Sequence, residues 1–122
     1  MATFIIQGRF SREAIQGLIA KPEDRAEAVA KLMESVGGRL VGYYVTFGPK
    51  DFVVIVEAPN EVDMAAVAVA VAGSGAVASL ETSLAMPSAK AKEAFARAQA
   101  VGAGAARGVK RGTDAATASA EA

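Results

Sequence analysis

Two runs rich in β-branched and aromatic residues, Arg39 to Phe47 and Asp51 to Ala58, stand on either side of Gly48-Pro49-Lys50. No other feature constrains the fold as much. Such runs have the composition of strands, and a short Gly-Pro loop between two of them closes an antiparallel hairpin. A lone hairpin is marginal in water, so it needs more strands or a helix against one face. The chain offers both. Thr3 to Phe10, bounded by Ser11, reads as a first strand, and Val77 to Leu84, ending at Met86-Pro87, as a last one.

Helical signals fill the intervals. Ser11 is placed to cap a short segment through Ile19. Pro22 with Glu23 and Asp24 opens a second helix, because a first-turn proline loses only an orphan donor and the acids meet the positive end of the helix dipole. Ala26, Val29, Leu32, Met33 and Val36 follow at helical spacing, and Gly37-Gly38 supply the stop. Asn60 caps a helix from Glu61 to about Ala72, with Asp63 near the capping-box position. The Val-Ala alternation from Val67 to Ala72 has a strand's period, but alanine's helix preference, the cap and the stop at Gly73 decide for helix. The order strand, helix, strand, strand, helix, strand predicts a ferredoxin-like α+β sandwich: a four-stranded antiparallel sheet with helices on one face.

Composition narrows the chemistry. The 122 residues are 52% hydrophobic and contain no His, Cys or Trp. One core is affordable at this length, and disulfides, nitrogen-and-sulfur zinc sites, thiolate nucleophiles and Ser-His triads are excluded. Carboxylate, Tyr, Lys, Arg and hydroxyl chemistry remain, or binding alone. No cofactor is expected, and the acidic residues lack a metal-ligand spacing. The N-terminal residues show no basic leader ahead of an apolar run, and Met64 to Leu80 is short for a membrane span and broken by Gly73-Ser74-Gly75. A cytoplasmic protein without membrane contact is the expectation.

The balanced charge of thirteen basic and thirteen acidic residues conceals a division at Pro87. Residues 1–87 carry seven basic residues against ten acidic, and residues 88–122 carry six against three. The first segment reads as the folded domain and the second as a basic tail rich in Ala and Gly, helical over about 89–101 and of low complexity beyond. Phe95 and Val101 are its sizeable apolar anchors. Its cluster of Arg107, Lys110 and Arg111 suits an acidic protein surface. Without interleaved aromatics, nucleic acid is not an expected partner.

Side-chain parity sorts the sheet into two faces. Phe4, Ile6, Phe10, Val41, Tyr43, Val45, Phe47, Phe52, Val54, Val56, Leu80 and Leu84 make one apolar face for the helices. The other carries Ile5, Gln7, Arg9, Leu40, Gly42, Tyr44, Thr46, Val53, Ile55, Glu57, Glu81 and Ser83. Its aliphatic members would form an exposed patch in a monomer, which packing against a second copy removes. The strand order usual for this fold sets Arg9 between Glu57 and Glu81. One reading is an ion-pair cluster that fixes register and dimer geometry. The other is a ligand site: Arg9 holds an anionic or carbonyl group, Glu57 or Glu81 acts as base, and Tyr44 donates a hydrogen bond. Asp51 is either a turn residue accepting backbone N–H groups or part of the mouth of that site.

The run Gly42-Tyr43-Tyr44-Val45-Thr46-Phe47-Gly48-Pro49-Lys50-Asp51-Phe52-Val53-Val54-Ile55-Val56-Glu57-Ala58-Pro59, followed by a helix, a glycine and Ser79-Leu80-Glu81-Thr82-Ser83-Leu84-Ala85-Met86, resembles the GYD domain family. The resemblance covers about residues 2 to 87 and implies a dimeric α/β barrel, in which the mixed face lines a lumen between two sheets. The family's Gly-x-Tyr-Asp reads Gly48-Pro49-Lys50-Asp51 here, so no role of that tyrosine carries over. Two functions follow. The first is a dimeric or higher homo-oligomeric binding or assembly module whose tail engages a protein partner or other copies. The second is a cofactor-independent enzyme, monooxygenase- or isomerase-like, acting on a small organic ligand in the lumen. No catalytic set is complete, so whether the chain catalyses anything stays open at this point.

Overall fold

A computed structural model describes residues 1–121, with side chains described through residue 104. The elements are β1 (Ala2–Phe10), α1 (Arg12–Ala20), α2 (Ala26–Glu34), β2 (Arg39–Val45), β3 (Phe52–Ala58), α3 (Glu61–Gly73), β4 (Val77–Ala85) and α4 (Ser88–Glu121). The chain divides into two compact units, one from Met1 to Ala85 and one beginning at Met86.

In the first unit the strands form one antiparallel sheet in the order β2-β3-β1-β4. This is the expected ferredoxin-like α+β fold. Phe4 and Ile6 of β1 and Phe52, Val54, Val56 and Ala58 of β3 bury their side chains against Met33 of α2 and Met64 and Val67 of α3. Each large apolar side chain enclosed this way is worth about 1.5–3 kcal/mol relative to exposure.

The helix ends follow from local chemistry. The Ser11 hydroxyl accepts the Ala14 N–H at 3.1 Å, and the Asn60 side chain accepts the Asp63 N–H at 2.9 Å. α2 ends in a Schellman motif: the Gly38 N–H bonds the Met33 carbonyl at 2.8 Å, the Gly37 N–H bonds that of Glu34 at 3.0 Å, and Gly37 takes φ +75°. Its start differs from the expectation. Pro22 does not open the helix: α2 begins at Ala26 behind Arg25, which makes no side-chain cap, and the Asp24 carboxylate just ahead accepts the Ala26 N–H at 2.9 Å in a local turn.

Two departures change which side chains share a face. The β2–β3 register shifts between Leu40 and Gly42, a bulge at Val41. Leu40 therefore joins the core face opposite Val56, and Val41 is turned out to solvent, the reverse of simple alternation. The hairpin strands also stop short. Thr46 closes the loop, its N–H donating to the Asp51 carbonyl at 2.8 Å and its hydroxyl to that of Lys50 at 2.6 Å. Phe47 falls in the loop, 98% exposed, and not on the core face. Leu84 keeps the expected parity opposite Phe4 yet is exposed near the β4 end.

In the second unit α4 continues past Val101 through Gly102 and Gly104 to Glu121, further than the expected helical span. Each interior glycine costs about 1 kcal/mol against alanine, and the many Ala residues of this helix, with its three Lys and three Arg, oppose that penalty. The Arg107, Lys110 and Arg111 cluster lies outside the residues whose side chains are described.

Candidate functional site

The open face of the sheet is built from transverse rows fixed by the ladders. One row runs Arg39, Glu57, Thr3, Ala85; the next Gly42, Ile55, Ile5, Ser83; the next Tyr44, Val53, Gln7, Glu81; and Arg9 pairs with Ser79 in the last. The centre is aliphatic, with Ile5, Val53 and Ile55 partly exposed. Ion pairs stand at opposite ends: Arg39 Nη2 to Glu57 Oε1 at 2.9 Å, and Lys50 Nζ to Glu81 Oε1 at 2.8 Å. Such partly solvated pairs contribute roughly 0–1 kcal/mol, so they orient the face more than they stabilise it.

This register corrects the expected Arg9 cluster. β1 does lie between β3 and β4, but antiparallel pairing puts Glu57 opposite Thr3, three rows from Arg9. At about 3.4 Å per residue that is roughly 20 Å. Glu81 lies one row from Arg9 and is held by Lys50. Arg9 and Glu57 therefore share no site; Glu81 lies one row from Arg9 on the adjoining strand, whereas Tyr44 lies on the opposite edge strand, three strand spacings or roughly 14 Å from Glu81. Asp51 sits at a junction: its N–H donates to the Gly8 carbonyl at 2.8 Å, and its Oδ2 accepts the Phe10 N–H at 2.9 Å. Its carboxylate thus prolongs the β1–β3 ladder beyond the Gly8–Phe52 pair. Sequence reasoning anticipated backbone N–H groups as its partners but not that they would come from β1. It also passed over Ser79, whose hydroxyl, in the Arg9 row, is buried without a partner among the described residues.

A second feature, on the helix face, has no counterpart in the sequence expectations. Between α2, α3 and the sheet lies a cleft of about 400 Å³, lined by Ile6, Phe10, Phe52, Val54, Val67 and Val71 among others, with Arg25 and Tyr43 as its main polar groups. The Arg25 guanidinium lies 5.7 Å from the Phe10 ring centroid. Burial pushes the Tyr43 hydroxyl above its ordinary 10.0; the Arg25 charge pulls it down and Asp24 pushes it up, and burial prevails. The sign follows from proton linkage. Above pH 10.0 the unfolded chain releases a proton that the folded one keeps, so stability is complete below that pH and declines above it. Thermal unfolding of wild type and Tyr43→Phe on either side of pH 10.0 checks this, and the variant is expected to lose less stability on the alkaline side.

The GYD domain model matches residues 4–95. The chain belongs to the GYD domain family. A Thermus thermophilus protein named "Glutamine synthetase and cystathionine beta-lyase binding protein" is 34% identical to this GYD chain over 65 residues, 53% of this chain and 68% of the relative. Among solved structures, the protein TTHA0845, also from Thermus thermophilus, aligns with TM-score 0.47 and 19% identity, over 71% of this chain and 95% of that one. A protein from Agrobacterium tumefaciens aligns with TM-score 0.44 and 19% identity, over 71% and 93%. The family match runs into the first turns of α4. Among the described residues no three His, Cys, Asp or Glu side chains gather as a metal site, and no helix is long and apolar enough to cross a membrane.

Proposed function

We propose that this GYD domain is a cytoplasmic binding or assembly module that pairs with a second copy through its open sheet face and docks on an enzyme. The observation that carries the pairing is the aliphatic centre of Ile5, Val53 and Ile55, flanked by the Arg39–Glu57 and Lys50–Glu81 pairs. An apolar centre with a charged rim is the anatomy of a protein interface. The enzyme partner is supported by the Thermus thermophilus relative, whose name records binding to glutamine synthetase and cystathionine β-lyase. The basic tail beyond Pro87 is the proposed attachment to such a partner or to further copies.

Molar mass in solution tests the pairing: wild type is expected as a dimer at micromolar concentration, and Ile55→Arg, which sets a charge in the apolar centre, as a folded monomer. A wild-type monomer at high micromolar concentration would remove the paired sheet. For the partner, purified glutamine synthetase and cystathionine β-lyase from the same genome are mixed with the full chain and with one ending at Pro87. The full chain should co-elute with one of them and the shortened chain should not. The competing enzymatic reading, with Glu57 or Glu81 as base beside Arg9, is left with Glu81, since Glu57 pairs three rows away. A small organic ligand at the β1–β4 side of this face would meet Arg9 and Glu81, with Tyr44 across the sheet on β2 and Asp51 at the hairpin.

A further inference from the structure

The helix-face cleft arises from side-chain size. α3 turns Val67, Ala68 and Val71 toward the sheet, and α2 presents Ala28 and Val29, so short side chains line a space of about 400 Å³ over Ile6, Phe52 and Val54. Protein interiors close such gaps, and an apolar hollow offers water no hydrogen-bond partners. The volume lies in the range of small-molecule sites, which are mostly apolar with a few placed polar groups.

Those polar groups are donors. Arg25 Nε is buried and finds no acceptor within hydrogen-bond distance among the described residues; its nearest carboxylate oxygen, on the largely exposed Glu23, is 3.6 Å away. Asp24 is occupied by the Ala26 N–H. Tyr43 lines the same cleft and presents a phenolic hydroxyl, a donor at neutral pH. The third polar liner, Ser74, already donates to the Val71 carbonyl at 2.6 Å. An apolar chamber with an underused guanidinium and a phenol calls for an apolar body bearing one anionic, hydrogen-bond-accepting head.

We propose that the cleft between α2, α3 and the sheet binds a small apolar carboxylate, its head on Arg25 and Tyr43 and its body over Ile6, Phe52 and Val54. The guanidinium offers the carboxylate charge-assisted hydrogen bonds, and the Phe10 ring beneath it limits its freedom. The site is on the opposite side of the sheet from the proposed pairing face, so the two are separable: Ile55→Arg should bind the carboxylate as wild type does.

Decanoate is the probe, with decanol as its uncharged counterpart. Calorimetry of the full chain should show one decanoate per chain, and with methyl-labelled methionine the Met33 resonance, which reports the cleft wall, should shift while those of Met1 and Met86 stay. Arg25→Gln should weaken decanoate about tenfold or more, the loss expected for one charged hydrogen bond, and decanol less than twofold. Ala68→Phe, which fills the cleft, should abolish both while far-UV dichroism remains that of wild type. If Ala68→Phe fails to fold, the Arg25→Gln comparison and the Met33 shift decide by themselves. Absence of saturable decanoate binding, equal weakening of decanoate and decanol by Arg25→Gln, or an unmoved Met33 resonance would each overturn the proposal.

Discussion

Replacing Gly8 with alanine should cost the Met1–Ala85 unit on the order of 3 kcal/mol, at or above the upper end for overpacking, and lower its thermal midpoint by more than about 10 °C. Gly8 is buried in the central strand, and an added Cβ would overlap the Ser79 carbonyl oxygen and come within 2.8 Å of the Phe52 ring. The ring is a side chain that borders the cleft and can yield toward it. The carbonyl cannot, because it belongs to β4 and its position is set by the ladder to β1. Relief requires β1 and β4 to separate over several pairs. The contrast with Gly37 shows why close approach matters more than backbone angle. At Gly37 the left-handed φ of +75° costs alanine about 1–2 kcal/mol, but its Cβ meets nothing nearer than 3.6 Å. Urea unfolding of both variants gives the ranking, and a Gly8→Ala midpoint equal to that of Gly37→Ala would contradict the tight β1–β4 approach.

Phe52→Ala is expected to cost about 3–5 kcal/mol. Phe52 is 4% exposed, starts β3, and packs its ring 5.0 Å from that of Phe10 at 40°. Truncation removes this aromatic pair and enlarges the adjoining cleft, so the loss combines transfer and cavity contributions. Against a stability of about 5–15 kcal/mol for a typical domain, the variant would approach the edge of folding. The two substitutions should couple. With the ring gone, an alanine methyl at position 8 loses one of its two clashes, and the double variant should be less destabilised than the two single losses together. Strict additivity would place the whole Gly8 effect on the Ser79 carbonyl.

The fold was legible because its signals are local. The Gly48-Pro49-Lys50 loop between β-rich runs, the Asn60 cap and the Gly37-Gly38 stop each act within a few residues, and each element they mark is present. Faces and registers were less so. Parity counting assigns Val41 inward and Leu40 outward, and a single bulged residue reverses both, a choice made by pairing with β3 and invisible within β2 itself. The Arg9 cluster failed for a related reason: strand order was inferred correctly, but which residues stand abreast depends on antiparallel register. The cleft escaped notice because it is an absence of volume created jointly by α2 and α3. The signal was present in the alanines and valines of α3, which read as helix formers and not as short walls.

The sheet also dictates when this unit can assemble. β1 is synthesised first yet lies in the interior of the sheet, and its neighbours β3 and β4 come much later, with Thr3 facing both Glu57 and Ala85. Only the β2–β3 hairpin is local, and its Asp51 latch requires β1 to be already in place. Pairing so distant in sequence makes the search slow and all-or-none. The nascent strand must therefore wait for residue 58 before its β3 edge is paired and for residue 85 before its β4 edge is, and that interval is when an apolar β1 is most open to pairing with the wrong chain.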